Sequence, residues 1–155
     1  MFILFYNLCC MISKKAKYGL KAMLRLAKEY GRQPMLIAEL AEQENIPRKF
    51  LELILLELKK KGLLISKMGK GGGYALAKDP SKIMVGHVIR VLDGPLAPIP
   101  CVSKTAYQPC DECVSERTCG IRLIMQQVRD STAAILDATP LTEASKAKFS
   151  VTRKA

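Results

Sequence analysis

The chain of 155 residues contains no tryptophan and only one histidine, His87. This histidine falls on the polar side of a short predicted helix, so we expect it to be exposed and not to bind a metal. The sequence suggests no cysteine–histidine pair, no paired-carboxylate motif and no phosphate-binding loop of the G-x-x-x-x-G-K-[ST] type. These absences argue against catalysis, and we predict that the protein is not an enzyme.

Long hydrophobic runs are also missing. No stretch of 18 apolar residues follows position 11, so we predict no membrane span and a cytoplasmic protein. The apolar start, MFILFYNLCC, lacks a basic n-region and a small-residue cleavage site, and it is too short to cross a bilayer. Residues 1–11 are either an N-terminal extension upstream of a true start at Met11 or an additional segment. The organised pattern begins at Ile12.

Positive charge is what the chain has in excess, with a formal net charge of +11. Residues 11–80 carry 15 Lys and Arg against 7 Asp and Glu, whereas residues 81–155 carry 10 against 7. Such a balance favours a polyanionic partner, either nucleic acid or an anionic membrane surface, although many basic proteins are merely well solvated. The N-terminal half is therefore the predicted electrostatic footprint.

Apolar periodicity predicts a mainly α-helical protein with one small β-hairpin. We expect helices over 13–30, 35–43, 47–61, 82–92 and about 120–137, and strands over 63–67 and 74–77. The order helix, helix, turn, helix, two-stranded wing is that of a winged helix-turn-helix domain, here over residues 12–93. We expect a cysteine-rich loop over 94–119, a dimerisation helix over 120–138 and a flexible tail over 139–155.

The helix over 47–61 has the two faces that a recognition helix needs. Pro47 can start it, and we expect Phe50, Leu51, Ile54, Leu55 and Leu58 to be buried. The polar side carries Arg48, Lys49 and Glu52 near the N-terminal end. Arginine can bond guanine edges or phosphate, and glutamate can accept a hydrogen bond from cytosine. These three residues are the predicted base-reading group.

The predicted wing has a cationic tip that is almost free of side chains. Lys70 directly precedes three consecutive glycines, Gly71, Gly72 and Gly73, and Lys67 lies three residues before Lys70. Such a loop can approach a phosphate backbone or enter a minor groove, but the same composition also suits a flexible surface hairpin. It lies between two strands rather than before a helix, which does not fit a dinucleotide-binding loop.

These motifs resemble the Rrf-two family of transcription regulators, of the IscR, NsrR and CymR type. The matching segments are Tyr18-Gly19-Leu20-Lys21-Ala22-Met23, Ile37-Ala38-Glu39-Leu40-Ala41, Ile46-Pro47-Arg48-Lys49-Phe50-Leu51-Glu52 and Lys70-Gly71-Gly72-Gly73-Tyr74. The resemblance implies a homodimer on a partly palindromic double-stranded DNA operator. It implies base reading by Lys49 and Glu52 and DNA contact by the wing, including Tyr74. Met68 stands where some members have a wing arginine.

Four cysteines follow the predicted DNA-binding domain at positions 101, 110, 113 and 119. Cys101, Cys110, Cys113 and Cys119 lie in proline-rich irregular sequence, as ligand loops usually do, and thiolates bind zinc or iron–sulfur clusters. A structural zinc site more often pairs two C-x2-C knuckles, and only Cys110 and Cys113 have that spacing. Idle buried thiols and a thiol redox pair remain alternatives. The ligands suit both 2Fe-2S and 4Fe-4S centres.

The family resemblance extends through this cysteine segment. It matches Cys113 and Cys119 to the last ligand pair of cluster-binding members and Cys101 to the first ligand. The fourth-ligand positions of such members correspond to Arg122 or Lys17 here, so the additional Cys110 is the expected substitute. The segment lies between the DNA-reading domain and the predicted dimer helix. We therefore expect an iron–sulfur cluster to set operator affinity, with a purely structural zinc site as the alternative.

Overall fold

The computed structural model describes residues 12–146, and the expected extension over 1–11 lies outside them. Six helices and one antiparallel hairpin make up the described chain, which confirms the predicted mainly α-helical fold with a two-stranded wing. The helices are α1 (Lys14–Lys28), α2 (Ile37–Glu44), α3 (Arg48–Lys60), α4 (Val85–Asp93), α5 (Gly120–Ala138) and α6 (Leu141–Lys146). The strands are β1 (Leu64–Lys67) and β2 (Gly73–Leu76).

The core lies where α1 packs against α3, α4 and α6. Ser13 caps α1 because its hydroxyl accepts a hydrogen bond from the Ala16 amide at 3.0 Å. Gly19 permits the close approach of α1 to α4, since a Cβ at that position would lie 2.1 Å from Cδ1 of Leu92. The apolar face of α1 is thereby buried against α4.

The turn between α2 and α3 is built on two residues with restricted conformations. Asn45 ends α2 in the left-handed region, with φ 52° and ψ 56°. Pro47 precedes the first turn of α3, where its missing N–H costs nothing. The predicted inward face of α3 is buried at Leu51, Ile54, Leu55 and Leu58. This pair of helices is the helix-turn-helix.

The predicted burial of Phe50 is wrong. Its side chain is 37% exposed and packs edge-on against Tyr18, with ring centroids 5.8 Å apart. The reason is its position at the rim of α3, where the ring covers the side of α1 without entering the core. The predicted second helix also begins later than expected, because Met35 pairs with Tyr74 of β2 as an isolated bridge.

The expected flexible tail over 139–155 was predicted to start too early in the chain, because residues 140–146 pack on the rest of the described structure. Pro140 pairs with Met84, and the Leu141 amide donates to the Ile83 carbonyl at 2.9 Å. The short helix α6 follows and packs on α1, with Leu141 fully buried. Burial of this one leucine stabilises the segment by about 1.5–3 kcal/mol. The winged helical unit over residues 12–93 is therefore completed by residues 139–146, and the rest of the expected tail, 147–155, lies outside the described residues.

Helix α5 lies at the margin of this core, which its Leu136 contacts. None of its residues is buried, and it contacts the rest of the chain mainly through α4 and the short 3-10 turn Pro100–Val102. Between residues 12 and 146, no helix is long and apolar enough to cross a membrane. The chain thus enters α5 from the cysteine segment and returns through α6 to pack on α1.

Candidate DNA interface and cysteine segment

The outward face of α3 presents the predicted base-reading residues to solvent. Arg48, Lys49 and Glu52 are all exposed. Arg48 and Glu52 are one turn apart, and Nε of Arg48 lies 3.3 Å from Oε1 of Glu52. This pair holds both side chains along the same flank of the helix. The first turn of α3 therefore presents one paired cation, one lysine and one carboxylate at the end where a recognition helix contacts base edges.

The wing is fixed to the helix-turn-helix through its backbone. The amide of Met35 donates to the Tyr74 carbonyl at 2.9 Å, and the Tyr74 amide donates to the Met35 carbonyl at 2.8 Å. Gly73 has φ 143°, and a Cβ there would lie 2.3 Å from the Met35 carbonyl oxygen. Only glycine fits here, because the backbone at Gly73 lies against the backbone of Met35. This contact explains why the Gly-Gly-Gly-Tyr segment ends its glycine run at this position.

The tip of the wing carries the remaining predicted contacts. Lys67, Lys70 and Gly71 are exposed, whereas Gly72 is buried with no room for a Cβ, which would lie 2.5 Å from the Lys67 carbonyl oxygen. Tyr74 is half-buried and packs against the core, so its side chain supports the wing from below. The positive end of the wing therefore rests on a compact glycine turn.

A hydrogen bond joins the recognition helix to the wing. Nζ of Lys59 donates to the hydroxyl of Ser66 in β1 at 2.6 Å. The contact lies at the C-terminal end of α3, where a cation also favours the helix dipole. Sequence patterns do not reveal it, because Lys59 belongs to a run of three lysines with no distinguishing feature. It adds a side-chain contact between α3 and β1.

The cysteine segment places its four thiols in different surroundings. Cys101 is buried in the 3-10 turn, beside Val102, whose carbonyl accepts a hydrogen bond from Nη1 of Arg129 at 2.5 Å. Cys110 is exposed, and its carbonyl accepts from the Cys113 amide at 3.2 Å. Cys119 precedes the first turn of α5, and its sulfur accepts from the Arg122 amide at 3.5 Å. The C-terminal thiol thus caps the helix that follows.

Two of the four thiols meet. Cys113 lies next to Cys119, and the pKa of the Cys113 thiol is raised, first by burial and then by the neighbouring Cys119. A raised pKa lowers the share of nucleophilic thiolate at Cys113. All four cysteines are free thiols.

The predicted four-cysteine ligand set is not assembled in this conformation. Among residues 12–146, no group of three or more His, Cys, Asp or Glu side chains is placed to hold a metal ion. Cys101 stays in its buried turn while Cys113 and Cys119 lie together at the start of α5. The donor chemistry fits iron or zinc, but this arrangement of the donors does not.

A polar cluster that the sequence analysis missed closes this segment onto α5. The hydroxyl of Tyr107 donates to Glu116, and this bond raises the pKa of Tyr107. The same carboxylate lies 3.7 Å from Nε of Arg122. The three residues are scattered through the loop and the helix, so no spacing signal marks them. These contacts join the loop between Cys101 and Cys119 to the first turn of α5.

One side of α5 exposes several large apolar side chains. Ile121, Ile124, Val128 and Ile135 are exposed there, and Ser131 and Thr132 separate Val128 from Ile135. These four side chains remain exposed, so the described domain does not cover them. Exposed apolar side chains that lie together on one side of a helix mark a candidate interaction site.

Comparisons with known proteins find transcriptional regulators that are similar to this chain. The model of the family Rrf2, described as iron-dependent transcriptional regulator, matches residues 12–146. An rrf2-like HTH-type transcriptional regulator of Rhodobacter capsulatus is 44% identical over 134 residues, covering 84% of this chain and 89% of that protein.

Solved structures agree with the sequence matches. CymR of B. subtilis, the global cysteine regulator of that organism, is similar with a TM-score of 0.73 at 31% identity, over 86% of this chain and 95% of that one. IscR of T. potens is similar with a TM-score of 0.69 at 30% identity, over 88% of this chain and 87% of that one. Both resemblances extend beyond the winged domain into the C-terminal helix.

Proposed function

Because the chain belongs to the Rrf2 family of DNA-binding transcriptional regulators, which are not enzymes, we propose that it acts as a homodimer on a double-stranded DNA operator. We further propose that an iron–sulfur cluster bound through the cysteine segment sets its operator affinity. The observation that carries this second step is the position of Cys119. It caps the first turn of α5, the helix that we propose joins the two subunits.

The DNA contacts follow from the exposed cations. Arg48, Lys49 and Glu52 on α3 face the base edges. Lys67, Lys70 and Gly71 form the wing contact, and Gly72, Gly73 and Tyr74 shape the turn that presents them. Lysine contacts to phosphate displace counterions, so affinity should fall steeply with salt. Met68 is exposed at the wing tip and adds no charge there, which leaves phosphate contact to the two lysines.

Dimerisation follows from the uncovered face of α5. An antiparallel or crossed pair of these helices would bury the apolar stripe and place two winged domains side by side, as a twofold operator requires. A winged domain that already buries its own core offers no second apolar surface of matching length for α5. The partner that fits this stripe is therefore a second copy of the same helix.

The regulatory step rests on the chain's own connections. Any rearrangement that moves Cys119 also moves the first turn of α5, and α5 is tied to α4 by an ion pair between Arg90 and Asp137. Cys101, Cys110, Cys113 and Cys119 are the proposed ligands. Because they are not assembled in the described conformation, ligation requires residues 101–119 to reorganise, and this change would alter the separation of the recognition helices.

The test begins with protein purified without oxygen, assayed for visible absorbance, iron, sulfide and zinc on one sample. Iron and sulfide with a brown colour support the cluster, and single Cys-to-Ser substitutions at the four positions should each reduce iron content. Operator affinity of the loaded and metal-free protein is then compared at one salt concentration. Equal affinity of the two forms would overturn the regulatory step but leave DNA binding intact.

A colourless protein with stoichiometric zinc would indicate the structural zinc alternative. A third candidate, a thiol-based redox regulator, is favoured by one observation, the contact between Cys113 and Cys119. Here the two thiols would form a disulfide, losing two protons and two electrons to hydrogen peroxide, which is reduced to two waters. Peroxide-dependent loss of DNA binding that Cys113→Ser abolishes, in metal-free protein, would select this candidate.

A further inference from the structure

The face of α3 that points directly away from the core is not uniformly polar. An α-helix has 3.6 residues per turn. The positions opposite Leu51, Ile54 and Leu58 therefore start at Lys49 and continue in successive steps of four, three and four residues. They form an outward stripe of four exposed side chains, Lys49, Leu53, Leu56 and Lys60. Two leucines therefore lie between two lysines on the most outward line of the recognition helix.

These leucines are not partly covered residues at the edge of the core. Leu53 is 64% exposed and Leu56 is 44% exposed. Exposed apolar groups on a face of otherwise charged side chains mark a contact surface when they lie together. The polar pair formed by Arg48 and Glu52 lies on the adjacent flank, so it does not shield them.

We propose that Leu53 is a specificity-determining residue that reads the C5-methyl group of thymine in the major groove, an inference that rests on the proposed operator binding. Thymine is the one base that offers an apolar group to the major groove, and apolar side chains recognise it there. Leu53 lies in the second turn of α3, within the N-terminal half that reaches base edges. Leu56 is one turn further along and extends the same apolar contact.

Charge determines which macromolecule covers this stripe. Lys49 and Lys60 bracket the two leucines, and Lys59 and Arg48 lie on the neighbouring flank. A polyanion with apolar groups in its groove matches this pattern of cations around a small apolar centre. A second copy of the same helix would instead bring the lysines of both copies together, which like-charge repulsion disfavours.

The test uses the full-length protein and a duplex enriched by it from a random-sequence pool. Each thymine of that duplex is replaced in turn by uracil, which pairs identically but lacks the methyl group. At one or more thymines in each half-site, the replacement should weaken binding of the wild-type protein about four-fold, the affinity equivalent of burying one methyl group. In Leu53→Ala the same replacement should have no effect, whereas Leu53→Met should retain the sensitivity.

Lys60→Ala is the matched control on the same stripe. It should keep the thymine sensitivity and lower the slope of log affinity against log salt by about one, while Leu53→Ala should leave that slope unchanged. If the enriched duplex shows no sensitivity to any thymine methyl group, or if Leu53→Ala keeps that sensitivity, the inference about Leu53 is overturned while operator binding stands. An altered oligomeric state in Leu53→Ala with thymine sensitivity retained would assign the stripe to a second copy. Failure to enrich any sequence would overturn operator binding itself.

Discussion

The guanidinium of Arg90 and the carboxylate of Asp137 form a two-bond ion pair that joins α4 of the DNA-binding domain to α5. Nη1 lies 2.5 Å from Oδ1, and Nη2 lies 2.8 Å from Oδ2. Gly86 leaves room for this pair, because a Cβ there would lie 2.2 Å from Oδ1 of Asp137. The pair is the polar joint between the domain that reads DNA and the helix proposed to set its spacing in a dimer.

Asp137→Asn should therefore destabilise the protein by about 1 kcal/mol, the upper range for a well-oriented ion pair at a surface. The hydrogen bond from Arg90 lowers the pKa of Asp137 below its usual value. A lowered carboxyl pKa contributes stability above the unfolded-state pKa, about 4, and this contribution is lost as the pH falls through the folded-state pKa. Urea unfolding at several pH values measures the difference between variant and wild type.

That difference should be smaller at about pH 3 than at about pH 7. Asp111→Asn is the control, because it removes the same charge from an exposed loop position with no ion pair among residues 12–146. If Asp111→Asn and Asp137→Asn lower the free energy of unfolding equally, the proposed joint has no special energetic role.

Gly73→Ala should destabilise the wing strongly. The new Cβ would meet the Met35 carbonyl oxygen at 2.3 Å, and the backbone has φ 143°, so we expect a loss of about 1–3 kcal/mol in the free energy of unfolding. Chemical denaturation gives the value, and DNA affinity should fall with it. Gly120→Ala, at the start of α5 with no atom within 4 Å of the added Cβ, is the control and should be neutral or slightly stabilising. Equal losses in both variants would contradict the close-passage argument.

The thiols of the metal-free protein should react with iodoacetamide in a definite order. Cys110 is exposed and should be labelled first, whereas the buried Cys101 should be labelled last. The raised pKa of Cys113 leaves less thiolate at neutral pH, so its labelling should lag behind that of Cys110 and accelerate as the pH rises. Peptide mass spectrometry over time measures each rate. Labelling of Cys101 as fast as Cys110 would show that the 3-10 turn opens freely.

Ile124→Glu should dissociate the proposed dimer. It places a charge at the centre of the apolar stripe of α5, where a twofold contact would bring two carboxylates together and remove two isoleucine contacts. Sedimentation velocity distinguishes monomer from dimer. Ile65→Glu is the matched control, since Ile65 is 55% exposed on the wing strand and Ile124 is 59% exposed on α5. A dimer that persists in Ile124→Glu would place the subunit contact elsewhere.

Local pattern predicted the helices of the winged domain closely. The expected third helix, 47–61, is observed as Arg48–Lys60, because Pro47 and the apolar spacing from Leu51 to Leu58 act through contacts within a few residues. The glycine-rich wing was also predicted, because the run of glycines is visible in the sequence. Gly73 has a positive φ, a backbone conformation that favours glycine. Phe50 was misassigned because a hydrophobic residue at the margin of an apolar face has two available environments.

The amino-acid sequence by itself determined the order of the helices, the hairpin and its cationic tip, and the apolar stripe of α5. These features depend on hydrogen bonds and side-chain spacings that span a turn or two of the chain. Only the tertiary structure decided that Leu141 returns to the core beside α1, that Arg90 meets Asp137, and that Cys113 lies with Cys119 while Cys101 stays buried apart. Each of these contacts joins parts of the chain whose distance depends on the path between them, and spacing along the sequence carries no information about that path.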